Sequence, residues 1–400
     1  MVFAVRSTRA FDGRKAVAGG VTVVVDDGRI ISVESSAAEL PSDCPLVEPG
    51  PNATLLPGLF DMHVHLCCDS GLGAVDRLGV TGPEEIHASI EQALTQQLDA
   101  GVTTVRDVGD RDWAVVERRS GQSTEMGPSP TILASGPPIT VPQGHCSSWG
   151  GAVSGTVGLA QAITERAERG VDLVKVMASG GLTTEGADPA RCQFSADELR
   201  FVVSAAHEAG LPITAHAHPL AAVEQAIHAG VDGIEHCSCT TENGMVADDQ
   251  LLMRIASSGI TVCPTNGRVP DVDVPPNIAA QRKRLGISDE AKRDWIRRAH
   301  DAGVKMVAGV DSGIGPGKRH GALPHIIVDL VAAGISPADA LAASTSEAAA
   351  VCGLGRTKGR IAAGFDADLI VIEGDPLADI TALTRVRAVY ARGVEHRIST

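Results

Sequence analysis

Apolar and polar residues form short alternating runs near both ends of the chain, and this pattern predicts β-strands there. Residues 21–25 and 29–33 are rich in β-branched residues and flank an Asp-Gly pair, which favours a tight hairpin turn. Residues 368–372 and 386–390 are two further apolar runs followed by turn residues. We therefore expect the two ends of the chain to form one small sheet domain that is discontinuous in sequence.

The middle of the chain has a different, repeated pattern. Helical stretches end in glycine, and the residue after each glycine opens an apolar run; the glycines are Gly101, Gly170, Gly210, Gly230, Gly259 and Gly303. Glycine just past a helix is a common left-handed cap, and the apolar run is then the next strand. With strands near His63 and Thr131 the count reaches about eight, which predicts a closed (β/α)8 barrel. An open doubly wound sheet is the alternative, but no Gly-x-Gly-x-x-Gly turn follows the first strand.

These patterns predict an α/β protein with a TIM barrel and a small discontinuous β-sandwich domain. We expect residues 1–56 to form the N-terminal part of the sandwich, residues 57–355 the barrel, and residues 356–400 the C-terminal part of the sandwich.

Composition narrows the function classes. The chain has 34 Lys and Arg against 49 Asp and Glu, a formal net charge of −15 that argues against nucleic-acid and membrane partners. Nine cysteines without a regular framework, no signal-peptide pattern and no long apolar run favour a cytoplasmic protein. We expect a homo-oligomer that acts on a small-molecule substrate.

The candidate chemistry begins with two histidines. His63 and His65 lie two residues apart on a predicted strand, so their side chains share a face and can bind one metal ion, although an unimportant pair is the alternative. Further metal-competent side chains fall at other predicted strand ends, where a barrel carries its active site: Lys175, His216, His236 and Asp311. This recurrence favours a metal centre over coincidence.

Lys175 is unusual because it lies inside an apolar strand. A buried ammonium must find a partner or lose its proton. A structural ion pair is one explanation. The other is a neutral amine that combines with carbon dioxide to give a carbamate able to bridge two metal ions.

Two phrases resemble the amidohydrolase superfamily, within it the branch of imidazolonepropionase-related dipeptidases and aryl-amide hydrolases: residues 56–65 (LPGLFDMHVH) and residues 359–369 (GRIAAGFDADL). The resemblance implies two divalent metal ions, usually zinc. It implies that His63, His65 and Asp311 hold one ion, that His216 and His236 hold the other, and that carboxylated Lys175 bridges both.

The resemblance also implies roles for two more histidines. His145 lies in a Gly-His loop after the third strand and would hydrogen-bond the substrate carbonyl or the oxyanion. His218 would bind substrate, although the sequence leaves open which of His216 and His218 is the metal ligand. In the implied mechanism a metal-bridging hydroxide attacks the carbonyl, and Asp311 carries its proton to the departing amine.

We therefore expect a metal-dependent amidohydrolase that cleaves an amide-type C–N bond in a dipeptide, N-acyl amino acid or aryl amide. Cleavage of a cyclic amide, carbamate or urea is the alternative within the same superfamily, and a metal-free binding or assembly relative is the alternative of another class. A substrate carboxylate would need a cation, for which Arg268, Lys318 and Arg319 are candidates, although solvated loop charges are the simpler interpretation of all three.

Overall fold

The computed structural model describes residues 2–121, 127–246 and 248–399. The N-terminal strands are β1 (Phe3–Ser7), β2 (Ala10–Phe11), β3 (Ala16–Val17), β4 (Val21–Asp26), β5 (Arg29–Ser35), β6 (Leu46–Val47) and β7 (Ala53–Pro57). The strands of the middle are β8 (Leu59–Val64), β9 (Val102–Asp107), β10 (Thr131–Ala134), β11 (Val174–Met177), β12 (Ile213–Pro219), β13 (Gly233–Thr241), β14 (Gly244–Met245), β15 (Thr261–Cys263) and β16 (Lys305–Met306). The C-terminal strands are β17 (Leu369–Glu373), β18 (Val386–Ala391) and β19 (Val394–His396).

The α-helices all lie between β8 and β17. They are α1 (Ala74–Leu78), α2 (Pro83–Asp99), α3 (Ala114–Ser120), α4 (Gly155–Glu168), α5 (Ala196–Glu208), α6 (Leu220–Ala229), α7 (Asp249–Ser258), α8 (Pro276–Arg284), α9 (Asp289–Asp301), α10 (Leu323–Ala332), α11 (Pro337–Ala343) and α12 (Ser346–Val351). Across the described ranges, no helix has both the length and the apolar character needed to cross a membrane.

Strands from the two ends of the chain pair with each other. One sheet has the order β5-β4-β1-β6, and the other has the order β19-β18-β17-β7-β2-β3. In the second sheet β7 runs antiparallel to β17, with Pro57 opposite Leu369. A buried apolar cluster draws side chains from both sheets, among them Val23 and Val371. The predicted hairpin is confirmed, since β4 and β5 pair antiparallel around a left-handed turn at Asp27 and Gly28.

Parallel strands and intervening helices make up the middle of the chain. The parallel strands form the orders β8-β9-β10 and β11-β12-β13-β15-β16. The glycines predicted to cap the preceding helices all have positive φ, between 65° and 81°. This confirms the helix–glycine–strand prediction and gives an α/β fold of the TIM-barrel type.

Backbone hydrogen bonds also link the margins of these two sets of strands. On one side, Met62 N–H donates to Ala308 O at 3.1 Å and Asp311 N–H donates to His63 O at 2.8 Å. On the other side, Ile139 N–H donates to Lys175 O at 2.8 Å. These hydrogen bonds hold residues 308–311 against β8 and Ile139 against β11. The predicted site residues lie close to these contacts.

Candidate active site

The structure brings all the predicted site residues to one cavity of about 190 Å³. They are His63, His65, His145, Lys175, His216, His218, His236 and Asp311. All are buried except Asp311, whose side chain is 15% exposed. Residues separated by up to 248 positions in sequence thus face one another across the mouth of the strand assembly.

Several predicted strand bounds were wrong. His216 and His236 do not close their strands, because β12 continues to Pro219 and β13 continues to Thr241. Asp311 lies beyond β16, which ends at Met306, and its backbone is left-handed at φ 70°. The longer β12 keeps His216 and His218 on one face, as the sequence suggested.

One group of candidate ligands surrounds Asp311. The Oδ1 atom of Asp311 lies 3.3 Å from His63 Nε2 and 3.3 Å from His65 Nε2. His65 Nδ1 lies 2.8 Å from the Gly109 carbonyl oxygen, so that nitrogen carries the proton. In a neutral imidazole the Nε2 lone pair then faces a carboxylate oxygen, an arrangement of two acceptors that a cation between them would stabilise.

A second group lies beside the first. Ligand atoms of His216, His218 and His236 lie within 4.8 Å of one another, and those of His63, His236 and Asp311 do so as well. His236 belongs to both sets, so the two groups are adjacent. His216 Nε2 lies 3.1 Å from the Gly180 carbonyl oxygen, which leaves its Nδ1 as the ligand atom.

The outer nitrogens of the imidazole rings are anchored. His63 Nδ1 lies 2.8 Å from Glu235 Oε2, and His236 Nδ1 lies 2.7 Å from Thr265 Oγ1. Such contacts fix the tautomer and orientation of metal-binding histidines in many proteins. Burial holds the pKa of His216 well below its usual range, so that ring is neutral and able to bind a metal.

Glu235 was missed by the sequence interpretation. It is buried between His63 and Arg106, accepts a hydrogen bond from Arg106 Nη2 at 2.7 Å, and accepts another from Thr214 Oγ1 at 2.6 Å. Burial alone would raise its pKa, but the charges of Arg106 and His63 hold it well below its usual range. A glutamate inside an apolar strand, next to a candidate ligand, was the signal available in the sequence.

Lys175 is the second of the four residues of β11 and is 1% exposed. Its Nζ atom has no hydrogen-bond partner, and it forms no ion pair with any residue the structure describes. The structural ion pair considered above is therefore wrong. Burial lowers the pKa of this amine, which favours the neutral form that carbon dioxide can carboxylate. An orphaned amine beside histidine and aspartate ligands fits a carboxylated lysine between two cations.

His145 lies in the loop after β10, above the second group. Its ring centroid is 4.7 Å from that of His216, and its Nδ1 lies 2.7 Å from Thr184 Oγ1. Burial lowers its pKa to about 3, so the ring is neutral near pH 7. His218 lies 3.0 Å from Ser238 Oγ through its Nδ1, and burial likewise lowers its pKa to about 3.

Left-handed backbone recurs at the site in residues other than glycine. His236 has φ 67°, Asp311 has φ 70° and Thr265 has φ 46°. Such conformations cost roughly 1–3 kcal/mol each and concentrate at functional sites. The arrangement is therefore maintained by the hydrogen bonds and packing around it.

The chain is similar to known proteins over most of its length. The sequence profile of the amidohydrolase family matches residues 54–395. The ochratoxinase of Aspergillus niger is 26% identical over an alignment of 364 positions that covers 84% of this chain and 73% of that protein. A probable imidazolonepropionase of Bos taurus is 24% identical over an alignment of 335 positions that covers 80% of this chain and 69% of that protein. The crystal structure of a Xaa-Pro dipeptidase with methionine bound in its active site superposes with a TM-score of 0.84 at 25% identity, over 99% of this chain and 100% of the other.

Proposed function

Because the chain belongs to the amidohydrolase family and is a hydrolytic enzyme that acts on carbon–nitrogen bonds, we propose that it cleaves an amide-type bond in a small-molecule substrate. The proposed substrate is a dipeptide, an N-acyl amino acid or an aryl amide. The observation that carries the proposal is that the Nε2 atom of His65, with its lone pair, lies 3.3 Å from a carboxylate oxygen of Asp311. The amine of Lys175, which has no hydrogen-bond partner, lines the same cavity.

The same residues supply two cation sites in this proposal. His63, His65 and Asp311 hold one divalent ion, and His216 and His236 hold the other, with zinc the metal best suited to these nitrogen and oxygen donors. Lys175, once carboxylated, would supply oxygen ligands to this centre. The adjacency of the two groups through His236 supports a shared centre.

Each protein group then has a part in hydrolysis. When bound, the two ions would supply a water of lowered pKa and polarise the scissile carbonyl. Burial would raise the pKa of Asp311, but the neighbouring His63 holds it well below its usual range, so the carboxylate is ionised and could accept a proton from that water. Asp311 then returns the proton to the departing nitrogen. His145 donates a hydrogen bond to the carbonyl oxygen as negative charge develops there, and His218 orients the substrate.

The finer architecture belongs to the same proposal. The hydrogen bonds from β8 to the segment after β16, and from Ile139 to β11, support a closed barrel of eight strands over residues 57–355. The pairing of β7 with β17 and the shared apolar cluster support one sandwich domain built from residues 1–56 and 356–400.

The test combines metal content with turnover. The purified enzyme is reconstituted with zinc and bicarbonate, and its zinc content is measured. It is then assayed on two panels of substrates. One contains the linear amides (N-acyl amino acids, dipeptides and aryl amides), and the other contains cyclic amides, carbamates and ureas. We expect two zinc ions per chain and turnover of the linear amides. Lys175→Ala should lose metal and turnover together, whereas Lys305→Ala, at an exposed lysine of β16, should lose neither. Full turnover without bound metal would refute the proposal, and turnover restricted to cyclic amides, carbamates or ureas would replace its substrate class.

A further inference from the structure

Two lysines converge on one point in the wall of the active-site cavity. Lys292, on α9, donates from Nζ to the Thr265 carbonyl oxygen at 3.2 Å. Lys318, after β16, donates from Nζ to the same oxygen at 2.8 Å and to Asn266 O at 3.2 Å. Because both amines contact the same oxygen, the two Nζ atoms lie no more than 6.0 Å apart.

No carboxylate of the described residues forms an ion pair with either lysine, although the charges of Asp311 and Asp329 act on both amines from farther away. Within 4.0 Å neither amine meets an Asp or Glu oxygen of residues 2–121, 127–246 or 248–399, although both residues line the cavity. The arginines of the same wall are different, because Arg268 lies 3.4 Å and Arg282 lies 2.7 Å from the carboxylate of Asp289. Two amines are thus held side by side, without an ion-pair partner in the part of the chain that the structure describes, in a protein of net charge −15.

The neighbourhood of the pair favours an anion from outside the chain. Burial and the mutual repulsion of the two amines lower the pKa of Lys292 to about 7, and burial lowers that of Lys318 to about 8. A negatively charged group between them would relieve that repulsion and restore both positive charges. Backbone carbonyl oxygens already orient the amines, so little side-chain freedom is lost when an anion binds.

We propose that Lys292 and Lys318 together bind a carboxylate of the substrate, so that the enzyme selects amides of amino acids with a free carboxyl group. The inference rests on the proposed function and names the substrate class of that site. An amide whose amine half is an amino acid carries its carboxylate one carbon away from the scissile nitrogen. One small cavity can therefore hold both the reacting bond and the anion.

The purely structural explanation is that the lysines only fix the loop at Thr265, whose hydroxyl contacts His236. The two explanations differ in which kinetic constant changes. Loss of a loop support would lower metal content and turnover of every substrate. Loss of an anion site would raise KM for acids and leave neutral amides unaffected.

The experiment compares each N-acetyl-L-amino acid with its carboxamide, using wild type, Lys292→Met, Lys318→Met and Lys292→Arg, with Lys305→Met as the matched exposed control. For wild type we expect acids to be preferred. Each Met variant should raise KM for acids about tenfold or more without changing zinc content or the kinetics of the carboxamides. Lys292→Arg should retain most of the preference.

Binding supplies a second measurement that does not depend on turnover. In calorimetry of the zinc-loaded proteins, the free amino acid of the best substrate should bind wild type and bind each Met variant about tenfold more weakly. Equal effects on acids and carboxamides, or unchanged KM for acids, would overturn the lysine site and leave the proposed function standing. A zinc-loaded wild type that cleaves neither member of any pair, and no dipeptide or aryl amide either, would overturn both.

Discussion

Replacing Glu235 by glutamine tests what holds the candidate ligands in place. Glu235 joins Arg106, Thr214 and His63 through contacts of 2.7, 2.6 and 2.8 Å, and its side chain is 1% exposed. The substitution keeps the shape of the side chain and removes its charge. It leaves the Arg106 guanidinium, which is 9% exposed, without its counter-charge.

The magnitude follows from that burial. Removing one partner of a buried ion pair costs about 3–5 kcal/mol, and removing the group that orients a metal-binding histidine lowers metal affinity about 10–100-fold. We therefore expect Glu235→Gln to lower the urea midpoint of the metal-free protein and to weaken zinc binding in a competition assay. A double variant, Arg106→Met with Glu235→Gln, should recover much of the stability, because no charge is left unpaired. It should not recover zinc affinity, because His63 still lacks a carboxylate partner.

The same carboxylate predicts an acid dependence. Its pKa is held below the usual value of 4.5, so its contribution to stability is complete above that pH and is lost as the pH falls below it. The free energy of unfolding of Glu235→Gln should therefore change less than that of wild type between neutral pH and pH values below about 4. A Glu235→Gln protein with the wild-type urea midpoint and zinc affinity would refute the reasoning.

Other substitutions separate the remaining roles. Asp311→Asn should stay folded by circular dichroism and lose turnover by about 10²–10⁴-fold, while unchanged turnover would remove Asp311 from proton transfer. His145→Gln should keep its zinc and lose about 10²–10³-fold in kcat, and a change in KM alone would make it a binding residue. His216→Gln should lower zinc content more than His218→Gln does; the reverse order would exchange their roles. Lys175→Ala should lose both metal and turnover, and a zinc-loaded, active variant would exclude a bridging lysine.

Sequence reasoning succeeded where the signal is local. A glycine after each helix requires a left-handed cap, so the pattern predicts the helix–strand boundary at positions such as Gly101 and Gly230. Two histidines two apart on a strand necessarily share a face, so His63 and His65 could be paired without coordinates.

It failed where the cause is a contact between distant segments. Glu235 is explained by Arg106, 129 positions earlier in the chain, and no local pattern joins the two. Lys292 belongs to α9, whose many charged residues are typical of a solvent-exposed helix. Its amine reaches the cavity only because that helix packs close to Thr265. The ends of β12, β13 and β16 were misplaced because they depend on pairing with neighbouring strands rather than on local propensity.

The left-handed backbone at His236 and Asp311 places conformational strain at the mouth of the cavity, and the proposed cation would offset part of that strain. Enzyme produced in a metal-starved culture should therefore be more readily nicked by trypsin in the loops around the mouth than enzyme grown with added zinc. The supply of metal during synthesis would then set how much of this protein a cell retains, as well as how active each molecule is.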